Sequence, residues 1–128
     1  MKKLLILLSS VFLFANSHMT TNDKALQEAL NGNYKKAFSM FEKRCKKNEG
    51  YACGMVGYFY DKGFGIEKNH QKAITYYKKG CNLNDADSCT LLGYEFYKNG
   101  NLKKAKELLN KACKLGNKDA CNYLKKIQ

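Results

Sequence analysis

Gly32-Asn33-Tyr34-Lys35-Lys36-Ala37 returns as Lys68-Asn69-His70-Gln71-Lys72-Ala73 and again as Gly100-Asn101-Leu102-Lys103-Lys104-Ala105. Each of the three alanines is followed eight residues on by a cysteine, Cys45, Cys81 or Cys113, and eight further by a second, Cys53, Cys89 or Cys121. The period is 36 residues and then 32. Self-similarity on this scale is the mark of stacked helix hairpins, none of which can bury its apolar face alone. The four-residue difference falls in one connection: Asp61 to Asn69 is long, whereas Lys98-Asn99-Gly100-Asn101 is a tight turn.

Apolar residues recur at helical spacing within each unit. Ala37, Phe41 and Cys45 form one stripe, repeated by Ala73, Tyr77 and Cys81 and by Ala105, Leu109 and Cys113. These stripes mark the second helices of the hairpins; the first helices carry Ala52, Val56 and Tyr60, then Ser88, Leu92 and Phe96, then Ala120 and Leu124. Gly57 and Gly93 follow Cys53 and Cys89 by four residues. Glycine inside a helix costs up to about 1 kcal/mol relative to alanine, so its recurrence at equivalent places points to close approach of a neighbouring helix.

Turn and capping residues lie between the cysteines of each pair: Asn48-Glu49-Gly50, Asn84-Asp85-Ala86-Asp87 and Gly116-Asn117-Lys118-Asp119. One sulfur then sits in the last turn of a helix and its partner in the first turn of the next. Pairing Cys45 with Cys53, Cys81 with Cys89 and Cys113 with Cys121 is the connectivity that treats every repeat identically. In the chain-entropy model each such short loop contributes about 2.5 kcal/mol, so three would rival the whole stability of a small domain.

The N-terminus supports an oxidising destination. Met1-Lys2-Lys3 is positive, and Leu4 to Phe14 is apolar except for Ser9 and Ser10, too short a run to span a bilayer comfortably. It has the form of a signal peptide over residues 1–17, with Ala15-Asn16-Ser17 as the cleavage site. No cysteine follows to carry a lipid anchor. The remaining 18–128 form one repeat domain, with a capping helix at about 23–31 and repeats at about 33–62, 69–99 and 101–128. Six cysteines behind an export signal favour disulfides, and the absence of proline and tryptophan accords with one helical unit.

The run Ala52-Cys53-x-x-Val56-Gly57-x-x-Tyr60-x-x-Gly63-x-Gly65-Ile66-x-Lys68-Asn69-x-x-Lys72-Ala73 resembles the Sel1-like repeat, a relative of the tetratricopeptide repeat. With the eight-residue cysteine spacing, nearly all of the mature chain resembles the Helicobacter cysteine-rich protein family. It departs at the shortened connection after Tyr97 and at Lys125, which replaces the packing glycine in the last helix. A lysine suits a terminal helix, where no further hairpin docks. The resemblance implies an all-α, right-handed solenoid of antiparallel helix hairpins and a periplasmic or secreted location.

It also implies two activities. One is a binding scaffold for a peptide, a cell-wall fragment or another protein outside the cytoplasm, since first helices line the concave surface in related repeats. Met55, Tyr58, Leu91, Tyr94 and Tyr123 would then form the ligand groove, with Gly57 and Gly93 packing behind it; the same residues could instead fill hairpin contacts. The other is a slow β-lactamase or penicillin-binding hydrolase. Ser-x-x-Lys, Ser-Asp-Asn and Lys-Thr-Gly are absent from the sequence, so no serine acylation set stands behind it. His18 and His70 are the only histidines, too few for a zinc site, so no metal or cofactor is expected. His70 aligns with Tyr34 and Leu102, which favours a helix-start packing role over a catalytic base.

The formal charge is +12, of which Lys2 and Lys3 carry two. The lysines on the polar faces of the second helices either solvate an exterior or meet an anionic surface. Export disfavours nucleic acid, and the domain left after signal removal is not membrane-spanning.

Overall fold

The computed structural model describes residues 23–128, so the signal peptide and its cleavage site lie outside the described residues. Seven α-helices and no strands occur among them: α1 (Lys24–Leu30), α2 (Tyr34–Lys46), α3 (Gly50–Lys62), α4 (His70–Asn82), α5 (Ala86–Lys98), α6 (Leu102–Lys114) and α7 (Lys118–Ile127). Each packs on its chain neighbours, and α3 also touches α5. The chain is thus a disulfide-stapled solenoid of antiparallel hairpins. No helix of the described residues is long and apolar enough to cross a membrane.

Polar side chains start the helices. The carboxylates of Asp23 and Asp85 accept from the backbone N–H groups of Leu26 and Ser88, and the amide oxygens of Asn69, Asn101 and Asn117 accept from Lys72, Lys104 and Ala120. Each bond satisfies one of the orphan donors of a first turn. The turns inside the three cysteine pairs share one shape. Asn48, Asn84 and Gly116 occupy the same place with φ of 64°, 65° and 104°, and asparagine and glycine are the residues that enter this left-handed region most readily.

This repeated turn brings each helix end against the next helix start. The Cα separations are 4.6 Å for Cys45–Cys53, 4.5 Å for Cys81–Cys89 and 4.8 Å for Cys113–Cys121, and all three pairs are disulfide-bonded. The first two disulfides are buried; both sulfur-bearing residues of the third are half-exposed.

Helix α3 is the centre of the core. Every residue from Tyr51 to Tyr60 is buried, as expected of a helix that is apolar all round. Phe41 of α2 and Phe59 of α3 are fully enclosed with ring centroids 5.7 Å apart, edge to face. Ala37, Ala73 and Ala105 are also fully buried, small residues that let the helices close on one another. Gly57 is where α4 presses hardest: a Cβ there would meet the Tyr77 ring at 2.8 Å and the Ala73 carbonyl oxygen at 3.0 Å. At Gly93 the corresponding neighbour is Leu109 of α6, at 2.9 Å.

The long connection after α3 is part of the core as well. Gly63 ends the helix with φ of 72°, and at Gly65 a Cβ would lie 2.5 Å from the Lys35 backbone nitrogen. The segment therefore lies flat on the start of α2 and carries Phe64 inward. Its ring stacks on Tyr34 at 4.6 Å and meets Phe59 at 5.8 Å and Tyr58 at 6.0 Å, both edge-on.

Candidate functional site

The long connection decides which tyrosines remain accessible. Tyr58 and Tyr94 are equivalent in the repeat, but Phe64 covers the first, and the short turn after α5 supplies no counterpart over the second. Tyr58 is 8% exposed and Tyr94 41%. The groove proposed from sequence is corrected accordingly: Met55 is fully buried in the core and Tyr58 nearly so, because α3 is enclosed by α2, α4, α5 and the Phe64 segment. Leu91 is half-buried. Tyr94 and Tyr123 stay at the surface, and their rings come together at 6.0 Å.

These two tyrosines border a hollow of about 130 Å³ lined by Tyr94, Tyr97, Leu109, Tyr123, Lys126 and Ile127. Its floor is the Leu109 side chain of α6; its walls come from α5 and α7. Tyr97, which the repeat pattern did not single out, is 44% exposed. It stands where the preceding repeat has Asp61, so the available signal was an aromatic replacing an acid next to a shortened turn. Ammonium groups flank the hollow: Lys98 Nζ lies 5.2 Å from the Tyr94 ring centroid and Lys126 Nζ 5.9 Å from that of Tyr123.

A second cluster lies beside it. His70, the first residue of α4, places Nδ1 2.7 Å from Asp61 Oδ1 and Nε2 2.9 Å from Glu95 Oε1, which ties α3, α4 and α5 together. A ring with a carboxylate at each nitrogen is best satisfied as imidazolium, donating two N–H bonds. The bond to Asp61 first, and that to Glu95 next, hold the His70 pKa above its ordinary value. Burial pushes the Glu95 carboxyl up, but bonds from His70 and Lys98 outweigh it and hold it below the usual range. The Tyr77 hydroxyl donates to Asp61 Oδ2 at 3.2 Å, and burial pushes its pKa well up, with Asp61 adding to the shift.

The arrangement makes His70 a structural bridge. Both of its nitrogens are occupied by carboxylates, all six cysteines are in disulfides, and no group of three or more metal-ligating side chains occurs among the described residues.

Two larger concavities are built differently. One of about 320 Å³ is lined by Asp23, Arg44, Glu49, Tyr51, Leu83 and Asp85 among others. Arg44 closes it as a clasp, reaching Asp23 at 3.0 Å and Glu49 at 2.7 Å, and its pKa is raised by Glu49 first. The other is a shallow dish at Gly32 to Lys36 and Gly65. Neither gathers exposed aromatic side chains.

The Sel1 repeat model matches residues 50–85 and 86–117, each unit pairing α3 with α4 or α5 with α6. Among solved structures, the chain is similar to cysteine rich protein B of Helicobacter pylori, with 34% identity, 96% of each chain covered and a TM-score of 0.68. It also shares its fold with a Sel1 repeat protein from Oxalobacter formigenes, with a TM-score of 0.72, 24% identity and 78% of this chain matched; it spans 43% of that protein. Comparison with curated protein sequences gives no match.

Proposed function

The chain belongs to the Sel1 repeat family, and we propose that it is an exported interaction scaffold that holds a peptide, protein or cell-wall-derived partner against the tyrosine hollow of α5 and α7. Sel1 repeats mediate protein interactions, and the observation that carries the assignment of the surface is the exposure of Tyr94, Tyr97 and Tyr123 around one hollow. Large rings held on rigid helices give contact area at small entropic cost, which is why tyrosine is frequent at binding hot spots. The disulfides, the apolar N-terminal run and the similarity to the Helicobacter pylori protein support a periplasmic or secreted location, with cleavage near Ser17. The hydrolase reading has no residue set behind it.

Selection of peptides from a random display library on the purified oxidised protein tests this reading. Selected peptides should lose roughly tenfold or more in affinity on Tyr123→Ala or Tyr94→Ala, with helical content unchanged. Peptides indifferent to both changes would place the binding surface elsewhere.

A further inference from the structure

We propose that the hollow between α5 and α7 takes one apolar side chain of an extended acidic segment of a partner protein, its flanking carboxylates meeting Lys98 and Lys126; this deepens the functional reading above and rests on it. The hollow is lined mainly by rings and by Leu109 and Ile127, and it measures about 130 Å³. An apolar cavity of roughly 150 Å³ accommodates a benzene ring, so there is room for one aliphatic or small aromatic side chain and not for several. Tyr94 and Tyr123 each carry a lysine ammonium over the ring and lean on one another at 6.0 Å. That arrangement favours a side chain inserted into the hollow beside the two rings over a flat sugar ring laid across an open aromatic face.

Beside the hollow, the carboxylates of Asp61 and Glu95 are balanced by His70 and by Lys98, which lies 3.1 Å from Glu95. Lys126 makes no ion pair among the described residues and reaches the hollow itself. Lys62 adds a third ammonium along the same row, over Tyr58 at 5.8 Å. Lysine with arginine outnumbers aspartate with glutamate 23 to 11 along the whole chain, so the long-range field also draws acidic segments in. An incoming carboxylate needs only to approach Lys126 or compete with Glu95 for Lys98.

The test is fluorescence anisotropy of the oxidised protein with four labelled peptides: a leucine flanked by acidic residues, the same flanked by glutamine, the same flanked by lysine, and the acidic peptide with alanine for leucine. The acidic leucine peptide should bind roughly tenfold more tightly than the glutamine peptide, and more tightly still than the lysine peptide. Its advantage should shrink from about 0.05 M to about 0.5 M salt. Lys126→Glu with Lys98→Gln should erase the preference, and Tyr123→Ala should weaken the acidic and glutamine peptides alike; circular dichroism checks that each variant is folded. Equal binding of acidic and glutamine peptides, both sensitive to Tyr123→Ala, would overturn the acidic preference while leaving the hollow as a binding site. Loss of all peptide binding, or binding only to anionic lipid vesicles, would overturn the proposal together with the reading beneath it.

Discussion

Tyr58 and Tyr94 each stand five residues after a disulfide-bonded cysteine in successive repeats, yet the first is covered by the edge of the Phe64 ring and the second leans on Tyr123 at the surface. The difference traces to the longer connection, which lays Phe64 onto Tyr34, Tyr58 and Phe59. Phe64→Ala should therefore cost about 2 kcal/mol, less than for a fully enclosed phenylalanine, and raise the chemical accessibility of Tyr58. Urea denaturation and tyrosine modification check both halves.

The three disulfides should not be equally resistant. Cys113 and Cys121 are half-exposed, whereas the other four cysteines are buried. Limited reduction followed by alkylation and mass spectrometry should therefore label Cys113 and Cys121 first. Replacing Cys81 and Cys89 together by alanine should cost about 2.5 kcal/mol on the loop-entropy account.

The packing glycines should separate by what faces them. At Gly57 an added methyl meets the buried Tyr77 ring, itself held by Asp61, and the Ala73 backbone oxygen. At Gly93 it meets the Leu109 side chain, which has more freedom to turn. Gly57→Ala should destabilise by about 2 kcal/mol and Gly93→Ala by less, in thermal or urea unfolding.

His70 should give the protein a pH-dependent brace. Its pKa is raised by Asp61 and Glu95 from an ordinary 6.5, so its contribution is complete below that value and is lost as pH rises through the raised one. Glu95, held below its ordinary 4.5, contributes above that value and loses its contribution as pH falls through the lowered one. The bridge is then strongest between about 4.5 and about 6.5. The wild-type Tm should drop on the alkaline side of this window, and His70→Gln should flatten that limb while lowering the plateau.

Much of the fold was legible because the repeat writes the same instruction three times. The alanine-to-cysteine spacing, the asparagine or glycine in each turn and the asparagine or aspartate caps all mark local structure. Which face of a helix reaches solvent is a tertiary matter. Met55 and Leu91 share a repeat position, but Met55 lies on the central helix and is enclosed from every side. Tyr58 was covered by Phe64, a residue six positions away that a repeat-by-repeat alignment treats as loop. The His70 bridge escaped notice for a similar reason: its two carboxylates come from 9 and 25 residues away, and neither recurs in the next repeat.

The short connection after α5 leaves Tyr94, Tyr97 and Tyr123 uncovered, where the longer one after α3 covers Tyr58. Hydroxyl-radical footprinting of the oxidised protein, read by mass spectrometry, tests this without any ligand. Tyr94, Tyr97 and Tyr123 should be modified rapidly, and Tyr51, Tyr58 and Tyr77 should be protected. Modification of Tyr58 as fast as that of Tyr94, or protection of Tyr94 and Tyr123, would contradict the account.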